Sequence, residues 1–148
     1  MANNIFILDD GTQELTITNS FKQEICKIHI RPADLSIVDR FNELTDGFAE
    51  TIEPLKDLHV KNDGTSDIDE EWAKLKEIEK NLIDKLNSVF DSDDIGNLFA
   101  KRNAFSTVGG EFYVEKVIEM LGKVVNQGME AETSKMQKRL DKYTKDLK

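Results

Sequence analysis

Asp91-Ser92-Asp93-Asp94-Ile95-Gly96 is a dense run of oxygen ligands whose spacing invites a calcium-loop reading. Such a loop needs oxygens at positions 1, 3, 5 and 12 and glycine at position 6. Counting from Asp91, positions 1, 3 and 6 fit, but position 5 is Ile95 and position 12 is Arg102, a cation where a bidentate carboxylate belongs. The run therefore reads as the stop of one helix followed by the start of another. His29 and His59 are the two histidines, and no His-x3-His spacing joins them into a zinc site. Cys26 would need an adjacent base to act as a nucleophile. It alternates with Ile28 and Ile30 on one strand face while Lys27 and His29 take the other, so it reads as a small hydrophobe. Gly-x-Ser-x-Gly, Gly-x-x-x-x-Gly-Lys and Gly-x-Gly-x-x-Gly are all missing from the sequence. Gly109-Gly110 could bring a helix N-terminus near an anion, but Glu111 follows at once and favours a flexible joint. The expectation is a protein without catalytic residues, cofactor or metal.

Composition points the same way. The 148 residues are 39% hydrophobic and 33% charged, with a net charge of −9. That balance has the wrong sign for a phosphate-backbone binder, so nucleic acid is not an expected partner. No apolar run approaches the ~20 residues that span a bilayer, and Ile5–Leu8 lacks the basic lead and cleavage site of a signal peptide. A single cysteine excludes an intramolecular disulfide and suits a reducing cytosol.

The elements that would carry any surface are legible as patterns. Ile5–Leu8, then Leu15 and Ile17 alternating with polar neighbours, then Cys26, Ile28 and Ile30 predict three strands. Asp10-Gly11 and Asn19-Ser20 would turn them into an antiparallel meander. Arg31-Pro32-Ala33-Asp34 ends the sheet, and Asp34 caps a helix with Ile37, Phe41, Leu44, Phe48 and Ile52 on one face, which Pro54 would end or kink near Glu53. Ser66 or Asp67 caps the next helix, whose Ile68, Trp72, Leu75, Ile78, Leu82, Leu86 and Val89 make six steps across 21 residues. This coiled-coil-like spacing suits a helix–helix seam. Ile95, Leu98 and Phe99 suggest a short turn. A broad stripe from Phe112 through Val114, Val117, Ile118, Leu121 and Val125 predicts a central helix that Gly128 would cap. The expected fold is α+β and predominantly helical: a three-stranded meander packed against four to five amphipathic helices. It would form a single α+β domain over 1–128, with strands at about 5–30 and helices at about 34–127.

Residues 129–148 then form an amphipathic arm. Its apolar positions are Met129, Met136, Leu140, Tyr143 and Leu147. The body carries −11 and the arm +2. Methionine adapts to irregular surfaces, so these five residues are the candidate partner-binding set.

Two stretches carry a family resemblance. Ile28-His29-Ile30-Arg31-Pro32-Ala33-Asp34-Leu35-Ser36-Ile37-Val38-Asp39-Arg40-Phe41-Asn42 runs a strand into an amphipathic helix. Phe90-Asp91-Ser92-Asp93-Asp94-Ile95-Gly96-Asn97-Leu98-Phe99 joins a helix end to a Leu-Phe turn. Together they resemble the tail assembly chaperones of siphophages and prophages of Gram-positive bacteria, over roughly residues 25–125. The resemblance implies a non-enzymatic, cytoplasmic helper in the bacterial host cell that binds the tape measure protein during tail morphogenesis. A homo-oligomer is also expected. A structural tail or head-tail connector component is the alternative of a different kind.

Overall fold

A computed structural model describes residues 4–57 and 68–145. The architecture is α+β with helices dominant. Strand β1 (Gln13–Thr18) pairs antiparallel with β2 (Glu24–Ile30), placing Leu15 opposite Ile28 and Ile17 opposite Cys26. These four side chains face inward, with Ile28 and Ile30 fully buried. A register shift between Ile17 and Thr18 leaves Ile25 as the bulged residue, half exposed. Asn19 organises the turn: its Oδ1 accepts from the N–H groups of Phe21 and Gln23, and Lys22 adopts a φ of 64°.

The expected first strand does not form. Asp9 and Asp10 each accept a hydrogen bond from the backbone N–H two residues on, those of Gly11 and Thr12. These side-chain turns redirect the chain, so Asp10-Gly11 does not fold Ile5–Leu8 back onto β1. Residues Ile5 to Leu8 are 77–97% exposed. The meander is thus a two-stranded hairpin. The second sheet is the small hairpin of β3 (Thr107–Val108) and β4 (Glu111–Phe112). Gly109 and Gly110, with φ of 59° and 85°, make its tight turn, where the sequence suggested a flexible joint.

Helix α1 (Leu35–Asp46) starts as expected, with the Asp34 carboxylate accepting from Ser36 N at 2.9 Å. Ile37, Phe41 and Leu44 point to the core. The α-helical path gives way at Glu53, just before Pro54 as expected, but it is not a single helix. Gly47 breaks it at φ −93°, ψ 2°, and the chain resumes as α2 (Phe48–Ile52) and a 3-10 turn over Glu53–Asp57. His59 and the predicted caps Ser66 and Asp67 lie outside the described residues.

Helix α3 (Ile68–Val89) buries its stripe unevenly. Leu82, Leu86 and Val89 are in the core and Leu75 and Ile78 are half-buried, but Trp72 is 51% exposed. The helix closes in a Schellman motif, with Ser92 N donating to Asn87 O and Asp91 N to Ser88 O. Asp91 occupies the left-handed position usually given to glycine, at φ 49°. The 3-10 turn Ile95–Phe99 tucks Ile95, Leu98 and Phe99 beneath β2 and α3. Helix α4 (Tyr113–Lys145) crosses this core with Val114, Val117, Leu121 and Val125. It then continues through Gly128 without a cap. The glycine has a packing reason instead: a Cβ there would lie 2.4 Å from Pro32 Cβ. Among the described residues no helix is long and apolar enough to cross a membrane.

Candidate functional site

Gly128 sets where the arm leaves the body. Before it, Val125 is buried; just after it, Met129 still packs against the core. From residue 130 to 145 every position is exposed. Met136, Leu140 and Tyr143 fall on one face at steps of four and three residues, each about half exposed at 50%, 49% and 56%. Leu147 lies outside the described residues. The sequence thus placed an apolar stripe that the fold leaves without a cover, while Met129 belongs to the body as much as to the arm. Arg139 stiffens the stripe: its guanidinium donates to Tyr143 Oη at 2.9 Å and lies 5.6 Å from the ring centroid.

A second exposed apolar element lies near the N-terminal end of the chain. The exposed Ile5–Leu8 segment leads into Asp9 and Asp10, which line a cleft of about 650 Å³ with Arg31, Asp34, Glu132 and Lys135. Sequence reading missed this segment as a surface because its apolar run matches a strand. The signal that could have exposed it was Asp9-Asp10 beside Gly11 and Thr12, a sequence able to bond its own backbone.

The carboxylate run of residues 91–94 is occupied otherwise than expected. Asp94 does not cap the following turn; no side-chain bond of that kind forms. Its carboxylate instead accepts from His29 N and pairs with His29 Nδ1 at 2.8 Å, and it also bonds the Ser92 hydroxyl. His29 Nε2 meets Glu14 Oε2 at 3.0 Å from the neighbouring strand, because Glu14 is its register partner. The hydrogen bond to Asp94, then that to Glu14, raises the His29 pKa above its ordinary value of 6.5. Burial works hardest against Asp94 ionising, yet its bonds to Ser92 and His29 together hold its carboxyl below the usual 3.8. Asp91 is shared by Arg31 at 3.0 Å and Arg40 at 3.4 Å, and Arg31 also grips the N-capping Asp34 at 2.9 Å. Arg40 further donates to Val89 O, one of the last carbonyls of α3.

These pairs tie β2, α1 and the end of α3 together. A carboxylate already paired with arginine or histidine is poorly disposed to bind calcium, and Arg102 sits away from the run, 4.9 Å from the Tyr113 ring. Among the described residues no three His, Cys, Asp or Glu side chains converge where a metal ion could sit. Cys26 is half-buried, and burial first, then the nearby Asp94 and Glu24 charges, pushes its thiol pKa upward. That favours the neutral thiol, a poor nucleophile.

No protein-family model matches the chain, and neither the curated proteins nor the solved structures contain a match to it.

Proposed function

We propose that the chain is a non-enzymatic binding protein of the tail assembly chaperone kind, which holds the tape measure protein through helix-on-helix contacts while the tail is built. The supporting observation is the arm: a continuous helical extension with Met136, Leu140 and Tyr143 aligned and half exposed. Such a stripe offers an amphipathic client the spaced anchors that helix recognition uses. The tape measure itself comes from the resemblance of residues 25–125, and a long helix-rich chain is a client of the right chemistry. The acidic body, at −11 before residue 129, would keep a loaded complex from aggregating.

Co-expression with a helical fragment of the neighbouring tape measure protein tests the reading. The expected result is a soluble fragment that co-purifies with the chain, and loss of both effects when Leu140 and Tyr143 are changed to Ser. An insoluble fragment, or equal rescue by the double variant, would remove the basis for the proposal. Recovery of the chain from purified particles would favour the structural-component alternative.

A further inference from the structure

The arm is not the only apolar stripe left open. On the N-terminal half of α3, Trp72 is 51% exposed and Leu75 and Ile78 are half-buried, continuing the line that Leu82 and Leu86 bury. The two stripes differ in charge. Residues 68–79 carry five acidic and two basic groups, whereas residues 129–145 carry five basic and three acidic. Glu77 on α3 and Lys138, Lys142 and Lys145 on the arm have no ion-pair partner among the described residues. The aromatic of each stripe already lies beside a cation, Lys76 at 5.9 Å from the Trp72 ring and Arg139 at 5.6 Å from Tyr143.

We infer that the arm of one copy packs along the N-terminal half of α3 of a second copy, with Met136, Leu140 and Tyr143 covering Trp72, Leu75 and Ile78. Opposite charge selects this occupant. Two arms meeting each other would bring net positive segments together, and two α3 halves would bring net negative ones together. An arm on α3 joins apolar stripe to apolar stripe and leaves basic and acidic flanks facing. A two-fold arrangement makes the contact twice, since each copy owns both an arm and an α3. One three-residue helix contact alone falls short of the roughly 1,200 Å² of a stable interface, so the reciprocal pair is the form that persists. The inference goes beyond client binding and does not require the client to be a tape measure. A client that engages the arm would compete with this contact.

The single tryptophan makes the test direct, because Trp72 reports on α3 while the substitution is made on the arm. Full-length protein would be followed by sedimentation and by Trp emission over a concentration series. The expected result is a mass that rises toward twice the monomer, with Trp72 emission moving to the blue over the same range. Leu140→Asp should weaken the association by about tenfold or more and hold the emission at its red, exposed position. Leu140→Gln keeps helix propensity and adds no charge, and it should shift both readouts the same way; wild-type behaviour of this variant would show that the Asp charge acted by unwinding the arm and would overturn the inference. Trp72→Glu should lower the mass equally with unchanged circular dichroism, and added salt should weaken the wild-type association. Monomer at every concentration would overturn the inference. So would a rising mass with unmoved emission, or a blue shift in monomer that ignores concentration, which marks an arm folded onto its own α3. None of these failures alters the client-capture result, so the two readings fall separately.

Discussion

Gly128 decides how closely α4 approaches the β2–α1 corner. Glycine inside a helix costs about 0.5–1 kcal/mol relative to alanine, so alanine here would ordinarily help. The added Cβ, however, would lie 2.4 Å from Pro32 Cβ and 3.2 Å from its carbonyl carbon, atoms of a rigid ring and backbone. Gly128→Ala is predicted to destabilise by about 1–3 kcal/mol, the scale of overpacking. Gly122→Ala is the control: its Cβ would meet the Phe41 ring at 3.4 Å, an ordinary contact, so urea midpoints should be unchanged or rise. Equal behaviour of the two variants would show that Pro32 yields. His29 supplies a pH signature. Its folded pKa is raised, so its contribution is complete below the unfolded value of 6.5 and fades as pH climbs through the folded value. Asp94, with a lowered pKa, contributes above 3.8 and loses that contribution as pH falls through its folded value. The pair is therefore most effective between these limits, and His29→Gln should flatten the decline of stability above pH 6.5 in denaturant titrations. Neither role is visible in the sequence. A lone histidine on the outer face of a strand does not announce that an aspartate 65 residues away will close on it.

Among the elements, α4 has two halves with different partners. Through Val125 it is a core helix, and beyond Met129 it is a free one. Removing residues 131–148 should therefore leave the melting temperature within a few degrees of the full chain, because among the described residues of that stretch, 131–145, no side chain is buried. A drop of many degrees would place the arm in the fold. The stripe was legible because a 3.6-residue period survives whether or not anything covers it. Where the helix ends was not. Gly128 follows an apolar stripe and matches the C′ pattern, but a glycine wanted for close approach is written with the same letter. The first strand failed for a related reason: four apolar residues before Asp-Gly satisfy a strand pattern, while the carboxylates of Asp9 and Asp10 satisfy the backbone locally.

The body folds around one contiguous core in which β2, α1, α3, the 3-10 turn and α4 each bury part of the same cluster. Leu82, fully buried on α3, is a sensitive point of that cluster. Leu82→Asp is expected to cost more than about 3 kcal/mol, since an unpaired carboxylate would enter an apolar seam, and to abolish the cooperative unfolding transition. Leu82→Ala should lower stability by about 2–5 kcal/mol while keeping it cooperative. Local chemistry was enough to declare the helices, the Asp34 cap, the inward face of β2 and the arm's stripe, because propensity, capping and periodicity act over a few neighbouring residues. Three-dimensional packing alone settled that Ile5–Leu8 stays unpaired, that Asp94 serves His29 and Asp91 serves two arginines, and that half of α3 and half of α4 remain uncovered. Those outcomes depend on which distant groups compete best for a shared surface, and no short-range pattern encodes that competition.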